Sequence, residues 1–240
     1  MTLYPGIPRA EYEGLPGINW SCLKVGIGRT GVHIETALAG VSERADSAAM
    51  KFGRALHQAI LEPDIFATAW TIKTGVKTTT VPDMLTESEH ANIVAMVAKF
   101  RGLGLQIDNT EMAMTWQRGG YDCKGSVDAM TTNGILIDLK TTEDASPKAM
   151  AQTAWKYHYH TQLAWYKQGL LANDVPVTEC IIVAMEKSPP YSIGCYTIGK
   201  YAMQRGEAMI AHLLGLYRDR TIADYPLSEL ITPTWASEPE

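Results

Sequence analysis

The chain has 240 residues, of which 46% are hydrophobic and 20% are charged, and its formal net charge at pH 7 is −5. A chain of this length can bury roughly 70% of its unfolded surface, so its fold requires neither disulfides nor a structural metal. The excess of acidic residues excludes a histone-like or polybasic binding protein, although it leaves room for a local basic groove. We expect a single domain over residues 1–240, with an irregular N-terminal arm at 1–17 and an acidic tail at 221–240.

The N-terminal arm is rich in proline, glycine and acids, and it lacks the basic start and apolar run of a signal peptide. No later apolar stretch approaches the ~18 residues that a membrane-spanning helix needs. These two features favour a cytoplasmic protein with no membrane segment. The cysteines are widely spaced and include no C-x-x-C pair, which favours reduced thiols in the core over a metal cluster or disulfides. They are Cys22, Cys123, Cys180 and Cys195.

Two helices are predicted in the first half of the chain. The first begins after the cap residue Ser47 and continues through Leu61, where Pro63 ends it. The second begins with a T-x-x-E capping box at 86–89 and ends near Gly102. The apolar positions with helical spacing that we expect to face the core are Met50, Phe52, Leu56 and Ile60 in the first helix, and Ile93, Val94, Val97 and Phe100 in the second.

Strand patterns dominate the middle of the chain and return near its end. Gly-Gly at 119–120 and Asn-Gly at 133–134 separate the first three strands, which predicts two hairpins. A helix is expected to start after Ser146, with Pro147 at its first position. The order of the elements predicts an α+β fold with a central, mostly antiparallel mixed sheet flanked by helices. The predicted strands are 111–117, 123–131, 135–140, 179–186 and 191–198, and the later helical patterns are 158–172 and 200–219.

Two aspartates and a lysine are grouped around the second predicted turn. Asp138 and Lys140 end an apolar strand as an acid-x-lysine triplet, and Asp128 precedes them by ten residues across the turn. Such a triplet also occurs by chance in a chain of this length, and residues 122–124 form a second one. The second triplet has Met112 rather than an acid at the equivalent upstream position. The context of the triplet at 138–140 therefore makes it the stronger candidate for a functional site.

The length of the hairpin loop decides whether the two aspartates face each other. A two-residue loop at 133–134 would place Asp128 opposite Leu139, and the aspartates would point to opposite faces of the sheet. A three-residue loop at 132–134, with Gly134 in the left-handed conformation, would place Asp128 opposite Asp138. In that register their Cβ atoms would lie ~5 Å apart, with Lys140 on the same face.

Two facing carboxylates repel each other, and burial increases this cost unless a cation lies between them. Oxygen ligands of this kind suit Mg²⁺ or Mn²⁺. A metal beside Lys140 suits hydrolysis of a phosphodiester, because the metal polarises the phosphoryl oxygen while the lysine orients or deprotonates water or offsets developing charge. From these residues alone, a surface strand with solvated charges is an equally good interpretation.

Three sequence patterns occur in order along the chain. They are F-G-R-A-L-H followed by L-E-P at 52–63, D-L-K-T-T at 138–142, and Y-H-Y-H-T-Q-L-A-W-Y at 157–166. In this order they resemble the nuclease-domain family of exodeoxyribonuclease VIII (RecE), which belongs to the PD-(D/E)xK superfamily. The lambda exonuclease family is a more distant relative. The resemblance covers roughly residues 18–236 and implies a restriction-endonuclease-like core.

The resemblance also implies a role for each candidate site residue. Asp128 and Asp138 would hold Mg²⁺, for which Mn²⁺ would substitute. The backbone carbonyl of Leu139 would complete the metal shell, and Lys140 would assist the attacking water. His57 would be an additional metal ligand, although a lone histidine between apolar residues is more often structural.

Further residues are implied to contact DNA. Gln162 and Tyr166 are four residues apart, so they share a helix face, and they would line the DNA side of the active site. A polar stripe beside the core is the alternative for this pair. Ser21 would approach a phosphate, with a helix cap as the alternative. Arg54 would contact the strand backbone, unless it pairs with an acid. Glu89 and Glu111 are candidates for further acids at the site, but Glu111 opens a strand whose neighbours indicate a structural role.

The activity that the resemblance implies is that of a metal-dependent exonuclease. It would degrade one strand of linear double-stranded DNA from its end in the 5′→3′ direction and leave a 3′ overhang for recombination of the phage or prophage type. A ring-shaped homo-oligomer, either a trimer or a tetramer, and a single-strand-annealing recombinase as partner are also implied. The alternatives are a repair or defence endonuclease of the same superfamily, and a noncatalytic DNA-binding domain that keeps the fold.

Overall fold

The computed structural model describes residues 1–40, 47–73 and 83–220, together with Tyr225. No helix among these residues is both long enough and apolar enough to cross a lipid bilayer. The helices are α1 (Arg9–Gly14), α2 (Trp20–Leu23), α3 (Gly31–Leu38), α4 (Ala48–Leu61), α5 (Pro63–Ala69), α6 (Glu87–Arg101), α7 (Pro147–Lys156), α8 (Tyr159–Ala172) and α9 (Lys200–Arg218). The strands are β1 (Thr2–Tyr4), β2 (Thr71–Lys73), β3 (Met84–Thr86), β4 (Ile107–Arg118), β5 (Tyr121–Thr131), β6 (Ile135–Thr142), β7 (Glu179–Glu186) and β8 (Ile193–Thr197).

The main sheet of the described residues has the strand order β1-β4-β5-β6-β7-β8, and β2 pairs with β3 in a short separate sheet. In the main sheet β6 and β7 are parallel, and the other neighbouring strands are antiparallel. The chain crosses between β6 and β7 through α7 and α8, because parallel neighbours need a long connection. The predicted α+β class and the mostly antiparallel mixed sheet flanked by helices are confirmed.

Different helices cover the two faces of the main sheet. On one face α8 and α9 pack against the central strands, with Trp165 and Trp116 in contact at a ring-centroid distance of 5.0 Å. On the other face α4 and α6 pack through residues such as Leu56 and Ile93. The central strands β5 and β6 are therefore buried on both sides, which gives the side chains at their ends a rigid base.

Both N-caps predicted in the first half are present. The Ser47 side chain accepts a hydrogen bond from the backbone N–H of Met50, and Thr86 forms a full capping box with Glu89. Pro63 does end α4, but it is also the first residue of α5. The missing proline N–H carries no penalty at a first helical position, so a new helix starts there at once.

Two residues predicted to face the core are exposed. Met50 lies in the first turn of α4 and is 53% exposed, and Val94 of α6 is 54% exposed. The buried face of α6 consists of Ile93, Met96 and Phe100, at positions i, i+3 and i+7. This spacing leaves Val94 on the flank of the helix, so the prediction that Val94 faces the core is wrong.

The described cysteines are free, as predicted, but not all of them lie in the core. Cys123 and Cys180 are buried and Cys22 is half-buried. Cys195 is exposed, so the prediction of a core thiol is wrong there. Its strand, β8, is the edge strand of the sheet and is only partly covered.

The N-terminal arm is more regular than the sequence suggested. Strand β1 pairs with β4 and so extends the sheet, and α1 follows it. The buried Lys124 donates hydrogen bonds to the carbonyls of Tyr12, Glu13 and Leu15 at 3.3, 2.9 and 2.6 Å. The arm is thereby fixed to the centre of the sheet. The predicted acidic tail at 221–240 falls outside the described residues, apart from Tyr225.

The hairpin between β5 and β6 has the register of the three-residue loop. Ala129 pairs with Ile137 and Met130 with Leu136, which aligns position 128 with position 138. Gly134 has a φ of +82°, and its N–H donates to the carbonyl of Thr131 at 2.9 Å. The loop chemistry therefore sets the alignment of the two strands that carry the candidate site.

A Gly134→Ala variant is expected to have a free energy of unfolding lower by about 2 kcal/mol, because a left-handed non-glycine residue costs ~1–2 kcal/mol and packing strain adds to it. A Cβ at Gly134 would lie 3.0 Å from the carbonyl oxygen of Pro176. Urea denaturation measures the change. Gly120→Ala is the matched control, since Gly120 has a φ of +83° with nothing within 4 Å of the added Cβ. Equal losses in the two variants would contradict a role for the close contact.

Candidate active site

Three side chains that can ligate a metal converge where α4, β4 and β5 meet. His57 lies on α4, Glu111 on β4 and Asp128 on β5. One ligand atom from each residue lies within 4.8 Å of those of the other two, and all three residues are half-buried. Among the described residues, these three side chains form the group of His, Cys, Asp or Glu residues whose ligand atoms lie close enough to share a metal ion.

The backbone of Leu139 joins this cluster from β6. Its N–H donates to Oδ2 of Asp128 at 2.7 Å, and its carbonyl oxygen lies 3.1 Å from Nε2 of His57. Nδ1 of His57 is 3.8 Å from the same oxygen of Asp128. The Asp128 carboxylate thus accepts a hydrogen bond from a main-chain N–H of the neighbouring strand, next to the paired residues of the β5–β6 ladder. This bond fixes the carboxylate relative to the sheet.

Asp138 and Lys140 form an ion pair beside the cluster. Nζ of Lys140 lies 2.5 Å from Oδ2 of Asp138, and Asp138 is only 1% exposed. Its other oxygen, Oδ1, is buried and makes no hydrogen bond. Burial raises the pKa of Asp138, against the opposing effect of the Lys140 charge. Burial acts to lower the pKa of Lys140, but the charges of Asp138 and Asp128 outweigh it, so that pKa is raised and the ammonium is retained.

Glu111 belongs to the site although the sequence indicated a structural role for it. Its neighbours Thr110 and Met112 pair with Ala129 and Val127, so it lies opposite Asp128 across β4 and β5. Its backbone is left-handed, with a φ of +45°, a conformation that costs a non-glycine residue ~1–2 kcal/mol. Burial, followed by the charge of Asp128, raises the pKa of Glu111 to about 8.

The donor set fits a hard divalent cation. Carboxylate oxygens, a carbonyl oxygen and one imidazole nitrogen suit Mg²⁺ or Mn²⁺. Adjacent ligands of an octahedral Mg²⁺ at about 2.1 Å lie roughly 3 Å apart. The 3.1 Å between Nε2 of His57 and the carbonyl oxygen of Leu139 has this spacing. A cation would also offset the repulsion between Glu111 and Asp128, whereas Asp138, predicted as a metal ligand, lies outside this group.

Gln162 and Tyr166 share one face of α8, as their spacing predicts. Nε2 of Gln162 donates to the Tyr166 hydroxyl at 3.0 Å. The Tyr166 ring packs on Gly125 of β5, where an added Cβ would lie 3.2 Å from the ring. Burial raises the pKa of Tyr166 well above its usual value, and the charges of Asp138 and Asp128 act in the same direction.

Most of the chain matches one sequence family. Residues 27–220 match the sequence family described as a PDDEXK-like domain of unknown function (DUF3799). The chain belongs to this family. The assignment agrees with the resemblance to the exodeoxyribonuclease VIII nuclease domains, which belong to the same superfamily. No curated protein matches the sequence significantly.

Solved structures with the PDDEXK-like fold are similar to this chain. A Eubacterium rectale protein, described with its crystal structure as a "Putative exonuclease", is 16% identical, with a TM-score of 0.69, and the match covers 93% of this chain and 92% of that one. The alkaline exonuclease LHK-Exo from Laribacter hongkongensis is 11% identical over 88% of this chain and 91% of that one, with a TM-score of 0.37. The first likeness establishes the fold, and nothing here depends on the second.

Ser21 and Arg54 of this PDDEXK-like domain were predicted to contact DNA, and each had an alternative role. The structure shows the surroundings of both side chains. Ser21 is exposed on α2, whose cap is Asn19, so the alternative of Ser21 as a helix cap is wrong. Arg54 lies on α4, and Nη2 is 3.1 Å from Oδ1 of Asp83. Its guanidinium also lies over the ring of Trp70, at 5.7 Å from the centroid. The predicted pairing of Arg54 with an acid is therefore present.

Proposed function

We propose that this PDDEXK-like protein is a metal-dependent exonuclease that degrades one strand of linear double-stranded DNA in the 5′→3′ direction and leaves a 3′ overhang. One observation carries the chemistry: ligand atoms of His57, Glu111 and Asp128 lie within 4.8 Å of one another, with the Leu139 carbonyl 3.1 Å from His57 and the Asp138–Lys140 pair beside them. The direction of degradation derives from the resemblance to the exodeoxyribonuclease VIII family.

In this proposal the metal is held by His57, Asp128 and the Leu139 carbonyl, with Glu111 and Asp138 as further acids. Bound Mg²⁺ would polarise the scissile phosphate and acidify a water molecule. The hydrogen bond from the Leu139 N–H holds the Asp128 carboxylate in a fixed orientation. Preorganisation of this kind reduces the rearrangement needed during the reaction.

Lys140 acts in this proposal as a hydrogen-bond donor with a retained positive charge. The charges of Asp138 and Asp128 raise its pKa over the effect of burial, so it orients water or a phosphate oxygen more readily than it accepts a proton. Gln162 and Tyr166 present polar groups from α8 to the same region and would contact the DNA strand. Ser21 would contact a phosphate farther from the cleaved bond, and Arg54 would do so only by leaving its pairing with Asp83.

The biological setting is part of the proposal and derives from the family resemblance. The exodeoxyribonuclease VIII resemblance suggests a ring-shaped homo-oligomer, a trimer or a tetramer, around the DNA. It also suggests a single-strand-annealing recombinase as partner, in recombination of the phage or prophage type in the cytoplasm. Sedimentation of the purified protein with and without linear duplex DNA measures the oligomeric state directly.

Linear duplex DNA labelled at either end is expected to lose its 5′ label early and to keep its 3′ label in the surviving strand. The reaction should depend on Mg²⁺ or Mn²⁺ and leave closed circular duplex intact. A titration of both metals with gel analysis of the labelled products measures this. Cutting of closed circles would instead indicate an endonuclease, and early loss of the 3′ label would reverse the proposed direction.

A Lys140→Ala variant separates catalysis from DNA binding. It should lose hydrolysis while its DNA affinity stays close to that of the wild type, and its Tm should fall because Asp138 is left buried without its partner. If the variant degrades DNA at the wild-type rate, the proposed role of Lys140 is wrong. If the wild type binds linear duplex but hydrolyses it with neither metal, the protein is a noncatalytic DNA-binding domain.

A further inference from the structure

The corner between α7 and α8 carries large aromatic side chains on the surface. Trp155 is 46% exposed and Tyr157 is 53% exposed. Tyr159, the first residue of α8, is half-buried beside them. Exposed aromatic side chains in a group are uncommon on a soluble domain and mark sites of interaction.

The aromatic rings continue outward from the candidate active site. Nζ of Lys140 lies 4.9 Å from the centroid of the Tyr159 ring. The Tyr159 and Tyr157 rings are 6.0 Å apart, with an angle of 24° between their planes. An uninterrupted series of groups thus runs from Lys140 through Tyr159 to Tyr157.

The turn between α7 and α8 leaves Tyr157 exposed while Tyr159 packs against the core. His158, between the two tyrosines, has a left-handed backbone with a φ of +58°, a conformation that costs a non-glycine residue ~1–2 kcal/mol. Tyr157 caps the end of α7 and His158 caps the start of α8, so the tyrosines lie on either side of the turn between the two helices. Trp155 packs against the His160 ring at 4.2 Å. Strained backbone that presents exposed rings is a feature of binding sites more than of stability.

The segment of chain that carries the rings has basic residues and no acids of its own. From Pro147 to Asn173 the sequence has three lysines and no aspartate or glutamate, although the whole chain has a net charge of −5. Nζ of Lys156 lies 5.4 Å from the Tyr157 ring centroid. Lys24 contributes a further positive charge near His158. Burial is the main cause that lowers the pKa of His158, and the charge of Lys24 lowers it further. This surface suits a ligand with both flat rings and negative charges.

We propose that Trp155, Tyr157 and Tyr159 form a stacking platform for the unpaired bases of a DNA strand that enters or leaves the active site. Aromatic faces bind bases of any sequence, and neighbouring lysines bind the phosphates between them. A nuclease that converts duplex to single strand needs a surface of this kind next to its cleavage site. The inference rests on the proposed function, because the platform would hold a DNA strand at the site where that function places cleavage.

Binding of an unpaired oligonucleotide tests the stacking platform without hydrolysis. The probes are a thymidine oligonucleotide of about ten nucleotides and an abasic oligonucleotide with the same number of phosphates, both in EDTA, with fluorescence anisotropy as the readout. Tyr157→Ala and Trp155→Ala should each weaken thymidine binding about five- to a hundredfold and leave abasic binding unchanged. Tyr157→Phe, which keeps the ring, should bind like the wild type.

Two controls separate base stacking from other effects. Lys156→Gln should weaken binding of both probes equally and reduce the salt dependence, because its contact is to phosphate. Leu171→Ala removes an exposed apolar side chain near the other end of α8 and should change neither affinity. Circular dichroism of each variant checks that the fold is retained.

Three outcomes overturn the stacking platform. They are unchanged thymidine binding in both alanine variants, equal losses for the thymidine and abasic probes, and a change of oligomeric state with unchanged DNA affinity, which would make the surface a contact between copies of the chain. Any of these alongside normal degradation of linear duplex leaves the proposed function intact. Base-dependent binding by a wild type that never hydrolyses DNA supports the platform and removes the exonuclease.

Discussion

An Asp128→Asn variant is expected to hydrolyse linear duplex DNA about a thousandfold more slowly than the wild type. The carboxylate charge contributes several kilocalories per mole to metal binding and transition-state stabilisation, and each 1.4 kcal/mol corresponds to a factor of ten in rate. The asparagine oxygen can still accept the hydrogen bond from the Leu139 N–H, so the fold should persist. Initial rates on end-labelled duplex at saturating Mg²⁺ measure the loss.

The chain provides its own control for this variant. Asp122 starts a second acid-x-lysine triplet and is exposed on β5, with its carboxylate bonded to Gln117. Asp122→Asn removes the same charge from the same strand and should leave the rate within about twofold of wild type, since exposed pairs contribute little. Equal losses in the two variants would mean that overall charge, and not a metal site at Asp128, controls the activity.

Lys124→Met is expected to lower the free energy of unfolding by about 3 kcal/mol and the Tm by roughly 10 °C. Lys124 is 7% exposed, and its ammonium donates to three carbonyls of the N-terminal arm. Methionine fills a similar volume but leaves these carbonyls without a donor, so the arm must either detach or remain unsatisfied. Thermal and urea unfolding measure the change.

Lys99→Met supplies the comparison for this loss. Lys99 is exposed in the last turn of α6, and its substitution should change the stability by less than about 0.5 kcal/mol. Protease cleavage within residues 1–17 of Lys124→Met would locate the damage in the arm. A stable Lys124→Met variant with an intact arm would show that the three bonds do not anchor it.

Local chemistry explains the parts of the fold that the sequence predicted. Caps at Ser47 and Thr86 and the left-handed Gly134 act within a few residues, so their effects can be read from short patterns. The register of the β5–β6 hairpin follows from the loop length and places Asp128 and Asp138 in line. His57 and Leu139 were predicted from family resemblance, since nothing local brings α4 to the end of β6.

Features that depend on long-range pairing were not predicted. The arm joins the sheet through β1 and Lys124, which connect positions more than one hundred residues apart. Glu111 enters the site because β4 places it opposite Asp128 with a strained backbone, and no local pattern signals either fact. The exposure of Tyr157 depends on the turn at His158, whereas the sequence around Tyr157 resembles that of an ordinary helix.

The bond between the Leu139 N–H and the Asp128 carboxylate makes one amide proton a spectroscopic reporter. Most amides in this sheet are bound to neutral carbonyls, whereas this one is bound to a charged oxygen whose electron density changes when a cation binds. Its chemical shift and its rate of hydrogen exchange therefore follow the state of the site from within the backbone. A single isotope label at Leu139 would make metal occupancy visible in solution with no substrate present.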